Sequence, residues 1–294
     1  MAFKRLGIIG GSGLGEALSG VARGTSHELD TPFGQPSGPI LTADLDGIPV
    51  ALLSRHGPGH LRSPTQVNYR ANLYALKSLG VTHILASTAV GSLREEIHPG
   101  ELAIPDQLID RTFRRATTFF DELAVHVEMG APVCGTLRSA LLKSAEDFGT
   151  RVHPSATYVC MEGPQLSTRA ESEYHRSLGA HLIGMTAMPE AKLAREAELC
   201  YALVSLPTDY DCWRPAPRDV PAMELLKEIA ANLARGSEQA LALIRKAAPR
   251  VAQLGEAPCS CQSALEHGIW SDHGAIPEVL KQKYRLLLAR RLGL

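Results

Sequence analysis

The 294-residue sequence has no strong excess of charge of either sign, no internal repeats and no low-complexity segments. Its 30 basic and 31 acidic residues give a formal net charge of −1, and the sequence pI is near 6.8. A balanced surface of this kind lacks the positive field with which proteins attract nucleic acids or acidic membranes. We therefore expect a small molecule as the partner, with no nucleic acid and no membrane.

Long hydrophobic runs are also lacking, including at the N-terminus, where only a few apolar residues precede a group of glycines. A signal peptide needs an apolar stretch of about 7–15 residues, and a membrane-spanning helix needs about 20. We predict neither, and we expect a cytoplasmic protein.

The chain has few cysteines, and most of them are isolated within apolar or strand-like sequence. Such residues are typical of small buried side chains in a reducing compartment. Only Cys259-Ser-Cys261 forms a local pair. This pair could close a small disulfide ring or contribute to a metal site, but its position in a proline-flanked loop favours two ordinary thiols near the surface, and we predict no metal site. The remaining cysteines are Cys134, Cys160, Cys200 and Cys212.

Short apolar runs alternate with amphipathic segments, and this alternation predicts an α/β fold. A length of 294 residues with 45% hydrophobic residues is enough for one large core. We predict a single domain over residues 1–294, with residues 251–294 as a C-terminal helical extension. Strands are predicted at residues 48–54, 81–86, 157–161, 181–186 and 201–206 and within 6–15 and 101–114; helices are predicted at residues 68–79, 137–148, 167–178, 189–199, 222–248 (with a possible break at Gly236) and 276–294.

The predicted strand at residues 81–86 ends in small and hydroxyl residues, namely Ser87, Thr88, Ala89 and Gly91. Ligands of open α/β sheets bind outside the carboxyl ends of the strands. Small side chains leave room for a ligand, and hydroxyl and backbone N–H groups suit an anion such as phosphate. A turn that merely requires small residues explains the same pattern.

A glycine-rich turn follows the first predicted strand and contains Ser12, whose hydroxyl suits a phosphate. The glycines are spaced G-x-G-x-G, whereas a dinucleotide site requires G-x-G-x-x-G, so we do not expect a nicotinamide or flavin cofactor.

The strand at residues 48–54 leads into Arg55-His56-Gly57. Arginine is well suited to bidentate phosphate recognition, and a neighbouring histidine can add a donor. The triplet also resembles the nucleophile motif of histidine phosphatases, but no convincing second catalytic histidine accompanies it. His60 does not complete a metal site, since no third ligand is evident.

Two carboxylates, Asp209 and Asp211, follow the predicted strand at residues 201–206. Acidic groups at the mouth of a buried strand are costly unless they bind a ligand or a proton. They are the best candidates for acid/base chemistry, and a solvated, capped turn is the alternative.

Together, many motifs in register resemble the trimeric purine nucleoside phosphorylases, over residues 6–240. The matching segments are GIIGGSGL, DTPFGQPS, RHGPGH, VNYRAN, TAVGSLREEIHPG, DQLIDRT, MEGPQLSTRAE, GMTAMPEAKLAREAELCYA and TDYDCW. The resemblance implies a three-layer fold with a mixed central β-sheet flanked by helices, assembled as a homotrimer. It also implies phosphorolysis of S-methyl-5′-thioadenosine to adenine and 5-methylthio-α-D-ribose 1-phosphate, in purine and methionine salvage, without a metal or an organic cofactor.

The resemblance also implies roles for individual residues. Asp209 matches the catalytic position at the N7 and 6-amino edge of the purine. His126, on an irregular excursion at residues 117–132, matches a residue that reaches into the neighbouring subunit's site. The phosphate site falls on Ser12, Arg55, His56, Thr88, Ala89 and Thr186; the nucleoside contacts fall on Ser167, Met185, Asp209, Tyr210 and Asp211; and the wall around the 5′-methylthio group falls on Ala222, Leu225 and Leu226.

Two positions depart from the pattern expected from the family's animal enzymes, because Gly184 and Leu166 stand where those enzymes are expected to have a larger polar residue and an aromatic residue, respectively. Asp209 favours a 6-amino purine, whereas an amide would favour a 6-oxo purine. A phosphorylase of 6-oxopurine nucleosides or methylthioinosine is therefore the nearest alternative. A histidine phosphatase and a non-catalytic nucleoside-binding protein are more distant ones.

Overall fold

Four parallel strands form the centre of the sheet in the computed structural model, which describes residues 3–12, 24–215, 220–254 and 259–294. They are β1 (Leu6–Gly10), β4 (Ile48–Ser54), β5 (His83–Ser92) and β11 (Cys200–Asp209). Nearly every residue of β1, β5 and β11 is buried. Such continuous apolar runs are typical of strands that are covered on both faces.

The remaining described strands make the sheet mixed. The strand β3 (Ile40–Leu45) runs antiparallel to β4, and β10 (Leu182–Gly184) runs antiparallel to β5. The strand order along the main path is β2-β3-β4-β1-β5-β10-β9-β7, with β11 on the other edge of β5. These strands are β2 (Gly24–His27), β3 (Ile40–Leu45), β6 (Leu102–Ala103), β7 (Gln107–Arg111), β8 (Val152–His153), β9 (Thr157–Met161) and β10 (Leu182–Gly184).

The described helices flank this sheet, which confirms the predicted α/β class with a mixed central sheet. Their starts follow local capping chemistry: the Asn68 side chain accepts from the Ala71 N–H at the first helix, and Thr168 and Glu171 form a capping box at the third. The helices are α1 (Tyr69–Ser78), α2 (Gly135–Ala145), α3 (Arg169–Ser177), α4 (Ala187–Glu196), α5 (Ala222–Ala252), α6 (Glu278–Lys283) and α7 (Arg285–Leu292).

Two helix predictions are wrong in detail. The helix α5 passes through Gly236 without a break and continues to Ala252. The predicted terminal helix at residues 276–294 is two short helices that meet at Tyr284. Tyr284 is fully buried, and its backbone has φ −100° and ψ 10°, so packing of this ring interrupts the helix. None of the helices in the described ranges is both long and apolar enough to span a membrane.

Strand ends also differ from the sequence-based prediction in two places that matter for the site. The strand β5 continues through Ser87–Gly91 to Ser92, and β11 continues to Asp209. The small residues and Asp209, predicted to follow these strands, therefore lie within them, whereas Asp211 lies in the short 3-10 turn after β11. Both extensions are explained by pairing, since β11 and β5 remain in register from Cys200 to Pro207 and pair again at Asp209.

Tyr158 fills the space beside Gly184, one of the two positions that depart from the family pattern. A Cβ atom at Gly184 would lie only 2.1 Å from the Tyr158 Oη atom. The Tyr158 hydroxyl also accepts from the Thr186 N–H at 3.4 Å, so the tyrosine places a polar group near the missing side chain. The other departure, Leu166, is exposed.

We expect Gly184→Ala to lower the free energy of unfolding by about 1–3 kcal/mol, because the new methyl group forces a buried tyrosine to move. Gly135→Ala is the matched control: nothing lies within 4 Å of its added Cβ, and the residue begins α2. Urea denaturation measures both. A Gly184→Ala variant as stable as the control would contradict this account.

Candidate active site

The sheet leaves part of one edge of β5 open over residues 87–90. β1 pairs with β5 up to Ala86, and β10 pairs with it again only at Gly91 and Ser92. Because β11 covers the opposite edge from residue 83 to residue 91, β1 and β10 must share the same edge. No described strand pairs with residues 87–90 on that side, so backbone groups of this segment face the gap between β1 and β10.

The turn after β1 closes onto this gap through Gly11. Its N–H donates to the Ser87 Oγ atom at 3.3 Å. A Cβ atom at Gly11 would lie 2.7 Å from the Ser87 carbonyl oxygen and 2.9 Å from an Arg55 nitrogen, so only glycine allows this approach. The next residue is Ser12, which is half-buried beside these groups. The rest of the predicted glycine turn, residues 13–15, lies outside the described residues.

Arg55 is held in a fully buried ion pair. Its Nε and Nη2 atoms donate to the two carboxylate oxygens of Glu190 at 2.7 and 2.8 Å, and Nη1 donates to the Ser87 carbonyl oxygen at 2.8 Å. The Tyr201 hydroxyl donates to the same carboxylate at 2.8 Å. The bidentate face of Arg55, which the sequence suggested for phosphate, is therefore occupied by Glu190.

The guanidinium of Arg55 keeps its charge and part of its donor capacity. Burial by itself lowers the pKa of Arg55, but the carboxylate of Glu190 outweighs burial and raises it. A guanidinium has five N–H groups, and the contacts with Glu190 and Ser87 use three of them. One N–H on each Nη atom is not used by these contacts.

Hydroxyl groups from two elements meet at the gap. The Thr88 Oγ1 atom in β5 lies 3.1 Å from the Thr186 Oγ1 atom, which precedes α4, and both side chains are buried. The neighbouring Ala89 is half-buried. Together with Ser12 and Arg55, these residues supply hydroxyl and guanidinium donors of the kind that suit a phosphate. The phosphate-binding roles of these residues stay predictions.

His56 has a neutral ring. Burial, and then the charge of Arg55, lower the pKa of His56 to about 4. Its Nδ1 atom lies 2.8 Å from the Arg62 carbonyl oxygen, which only accepts, so Nδ1 carries the hydrogen. In this tautomer Nε2 is an acceptor, and it can bind a protonated phosphate oxygen but cannot donate to a bare one. The ring stacks on His60, with centroids 4.2 Å apart.

The two carboxylates lie at the other end of the same β5 segment. Asp209 pairs with Gly91 in the sheet, and a Cβ at Gly91 would be 3.3 Å from the Asp209 Oδ1 atom and 3.2 Å from the Asp211 Cβ atom. The Asp211 N–H donates to Asp209 Oδ1 at 2.7 Å, and the Ser172 hydroxyl donates to Asp211 Oδ2 at 2.6 Å. The two carboxylates are therefore mostly buried and held by hydrogen bonds, which disfavours the alternative of a solvated turn.

The surroundings of Asp209 favour a proton on its carboxyl group. Burial raises the pKa of Asp209, against the lowering effect of hydrogen bonds from Thr208 and from the Asp211 N–H. The single Thr208 hydroxyl hydrogen has two acceptors in reach, Asp209 Oδ2 at 2.7 Å and the Val90 carbonyl oxygen at 3.3 Å. When that hydrogen is directed to Val90, Asp209 Oδ2 receives no hydrogen bond from Thr208, which favours a proton on the carboxyl group.

Comparison with known proteins agrees with this architecture. The family model of the phosphorylase superfamily matches residues 5–249. The S-methyl-5′-thioadenosine phosphorylase of Geobacter sulfurreducens is 48% identical over 285 residues, which cover 96% of this chain and 97% of that protein. That of Koribacter versatilis is 44% identical over 289 residues, covering 98% and 97%.

The chain belongs to the S-methyl-5′-thioadenosine phosphorylase family, within the phosphorylase superfamily. Solved structures of the family have the same fold. A methylthioadenosine phosphorylase from an antarctic soil metagenomic library has a TM-score of 0.89 at 41% identity, covering 98% of this chain and 100% of that chain. The Schistosoma mansoni enzyme in complex with adenine has a TM-score of 0.77 at 30% identity, covering 99% of each chain.

Of the other residues predicted for the nucleoside site, Ser167 and Tyr210 lie near the carboxylates, and Met185 lies beside Thr186. The Ser167 carbonyl oxygen accepts from the Cys212 thiol at 3.2 Å, so Ser167 lies against the turn that follows Asp211. Tyr210 is half-buried and packs edge-on against Trp213. Met185 is half-buried directly before Thr186, and its carbonyl oxygen accepts from Arg115 at 2.5 Å.

For the other residues predicted to bind the nucleoside, no contact with the two carboxylates is seen in the described part of the chain. Leu225 is half-buried and Leu226 is exposed on the first turn of α5, and the side chain of Ala222 lies outside the described part of the chain. His126 is exposed on the irregular segment, where its N–H donates to the Gly268 carbonyl oxygen at 2.8 Å. Its ring packs edge-on against Trp270, with centroids 4.9 Å apart.

Sequence reasoning missed several residues that hold the site together. Glu190 lies within a predicted helix, and its acidic charge at a buried position was the available signal. Arg115 is buried, pairs with Glu162 at 3.0 Å and donates to the carbonyl oxygens of Met185 and Met188, which fixes the segment before α4. The Asn232 amide in α5 donates to the Thr208 carbonyl oxygen at 2.9 Å. These contacts join segments that are far apart in the sequence, so no local sequence pattern predicts them.

The cysteines also differ from expectation. Cys134 and Cys200 are not isolated but lie beside Cys259 and Cys261, with the four Sγ atoms within 4.8 Å of one another. Cys261 is buried rather than near the surface. The expectation of two ordinary surface thiols is therefore wrong, because the fold brings together residues that are far apart in sequence.

We expect Glu190→Gln to lower the free energy of unfolding by about 3–5 kcal/mol, because it leaves the buried guanidinium of Arg55 without a countercharge. Phosphate should then protect the variant less against urea, since Arg55 is no longer held. Glu173→Gln is the control, because Glu173 forms an exposed pair with Arg176, and its loss should cost less than about 1 kcal/mol. Equal stability of the two variants would refute the structural role of Glu190.

Acidification should destabilise the protein through His56. The folded pKa is about 4 and the ordinary value is 6.5, so between these pH values the unfolded state binds more protons. The free energy of unfolding therefore falls as the pH drops through this window, by at most about 1.4 kcal/mol per pH unit for this group. His56→Gln should flatten the curve of unfolding free energy against pH, and the exposed control His273→Gln should not. An unchanged slope in His56→Gln would count against a buried neutral ring.

Proposed function

We propose that this chain catalyses the phosphorolysis of S-methyl-5′-thioadenosine, with adenine and 5-methylthio-α-D-ribose 1-phosphate as products. The observation that carries the proposal is the continuity of the site along β5. Groups suited to an anion lie around Thr88 of β5. Farther along the same strand, Gly91 pairs with Asp209 of β11, whose carboxyl group has a raised pKa. Three strand residues span about 10 Å, which is suitable for a phosphate at one end and a purine at the other.

The anion-binding end would hold the attacking phosphate. As the C1′–N9 bond stretches, the sugar becomes cationic, and the phosphate stabilises that charge while it attacks from the opposite face. The free N–H groups of Arg55 and the hydroxyls of Ser12, Thr88 and Thr186 position the phosphate. Neutral His56 accepts a hydrogen from a protonated phosphate oxygen.

The acidic end would activate the leaving base. A protonated Asp209 donates to N7 of the purine and neutralises the negative charge that develops there, which is worth about 10²–10⁴-fold in rate. The Asp211 N–H donates to Oδ1 and orients the carboxyl group, and the Thr208 hydroxyl lies 2.7 Å from Oδ2. When Asp209 gives up its proton, the Thr208 hydroxyl hydrogen can turn from the Val90 carbonyl oxygen to the new carboxylate.

The same carboxyl group accounts for the choice of base. A protonated carboxyl presents one donor and one acceptor, which complement N7 and the 6-amino group of adenine. A 6-oxo purine presents an acceptor at both positions and leaves one carboxyl oxygen unpaired. Structures of the Schistosoma mansoni relative contain adenine, tubercidin or methylthioadenosine, which supports this preference for adenine compounds.

The proposal includes a homotrimer in the cytoplasm, with phosphate as the only co-substrate and no cofactor. His126 is exposed, so it is available to a neighbouring subunit's site, as the family resemblance implies. The family resemblance alone assigns the wall around the 5′-methylthio group to Ala222, Leu225 and Leu226. Free cysteines suit a reducing compartment. Sedimentation equilibrium tests the trimer.

Base release from the purified protein tests the activity. Methylthioadenosine, adenosine, methylthioinosine and inosine are compared with and without phosphate. We expect phosphate-dependent release of adenine, fastest from methylthioadenosine. Release of hypoxanthine instead would indicate a 6-oxopurine phosphorylase, and binding without base release would indicate a nucleoside-binding protein. Hydrolysis of phosphate esters independent of added phosphate would indicate a phosphatase.

Asp209→Asn should lower kcat/KM for methylthioadenosine by about 10²–10⁴-fold, because an amide cannot transfer a proton to N7. Activity on methylthioinosine should fall much less, since the amide N–H can donate to a 6-oxo group. Asp272→Asn, at an exposed position in the C-terminal segment, is the control. If Asp209→Asn stayed within about threefold of wild type on methylthioadenosine, the proton-donor role would be wrong.

A further inference from the structure

Four cysteines from three separate parts of the chain meet at one point that the reaction does not use. Cys134 caps the N-terminus of α2, Cys200 begins β11, and Cys259 and Cys261 lie at the short turn before the terminal helices. Their Sγ atoms all lie within 4.8 Å of one another, and those of Cys134 and Cys259 are 3.5 Å apart.

Backbone contacts fix the positions of these residues. The Cys134 N–H donates to the Tyr201 carbonyl oxygen at 2.8 Å, which ties the start of α2 to the strand that carries Cys200. The Gln262 N–H donates to the Cys259 carbonyl oxygen at 2.8 Å and closes the turn between the other two cysteines. The convergence therefore comes from the sheet and the turn together, on rigid elements.

The size of the cluster matches a tetrahedral thiolate site. Four sulfurs at about 2.3 Å from a central zinc ion lie about 3.8 Å from one another. The sulfurs of a disulfide are about 2.05 Å apart, and the structure records all four cysteines as free. Soft thiolate ligands in tetrahedral geometry select zinc over hard-ligand metals such as magnesium or calcium.

We propose that Cys134, Cys200, Cys259 and Cys261 bind one zinc ion in a closed, structural site. Four protein ligands leave no open position for water or substrate, so the ion takes no part in the phosphorolysis. Binding would displace the protons of the four thiols.

The surroundings suit the negative charge of a zinc tetrathiolate. The Leu137 N–H donates to the Cys134 Sγ atom at 3.4 Å, at the N-terminus of α2, where the helix dipole favours negative charge. Arg195, in α4, is buried and interacts electrostatically with Cys261. Such outer contacts orient the ligands and offset their charge in known zinc sites.

The ion would tie the C-terminal segment to the catalytic core. Residues 259–294 follow the cysteine turn, and they carry the Ile269 backbone that bridges Val125 and the Gly268 oxygen that accepts from His126. Tyr284 in the same segment donates to Glu122. Zinc would thereby stabilise residues 259–294, which pack against the irregular segment at residues 117–132.

Metal analysis of the full-length protein, purified under reducing conditions without an affinity tag, tests the proposal. We expect about one equivalent of zinc per chain, which should be lost from Cys259→Ser and Cys134→Ser. The matched control is Cys160→Ser, a buried cysteine outside the cluster, which should keep the zinc. Cobalt added to metal-free wild type should give the intense absorption of a tetrahedral thiolate complex, and Cys259→Ser should not.

If the variants fail to fold, measurements on the wild-type protein alone also test for the zinc site. Removal of the metal by a chelator should lower the melting temperature, and added zinc should restore it. A protein that takes up no zinc after reduction and reconstitution would overturn the proposal. So would iron as the bound metal, or intact-mass evidence of disulfides among these four cysteines in protein purified under reducing conditions.

Discussion

The buried ion pair of Arg55 and Glu190 is the interaction on which the rest of the site depends. It links the end of β4 to α4, and the Ser87 carbonyl oxygen and the Tyr201 hydroxyl attach β5 and β11 to the same two side chains. Two charges without water are costly unless every donor and acceptor is used. Here the pairing is bidentate and uses both carboxylate oxygens, so the constraint that stabilises the core also fixes the guanidinium beside the proposed phosphate site.

The second constraint is the gap in the sheet beside β5. A strand paired on both edges has no free backbone groups, but β5 is paired on one edge only over residues 87–90. This arrangement places small residues where a ligand can approach the backbone. It also places the hydroxyls around Thr88 on the same strand as the partner of Asp209, because β11 pairs with β5 in register as far as Pro207 and pairs again, after a shift, between Asp209 and Gly91. One strand thus positions both halves of the proposed reaction.

Contacts between residues that are distant in sequence shape two further parts of the molecule. Beside Gly184, the buried Tyr158 of the neighbouring strand fills the space, and its hydroxyl accepts from the Thr186 N–H. In the cysteine cluster, the fold brings Cys200 and Cys261 together although they lie 61 positions apart. In both places, close packing of separate segments creates an environment that neither segment has alone.

The sequence by itself determined the α/β class, most strands and helices, and the types of residue at the ends of the central strands, because hydrophobic periodicity and capping are local properties. It also identified Arg55, Thr88, Thr186 and Asp209 as candidates, since hydroxyls, cations and carboxylates stand out after apolar runs. Only the tertiary structure decided that Arg55 pairs with Glu190, that His56 is neutral, and that four cysteines meet. Those features depend on contacts between segments far apart in the chain, and on the burial that such contacts create.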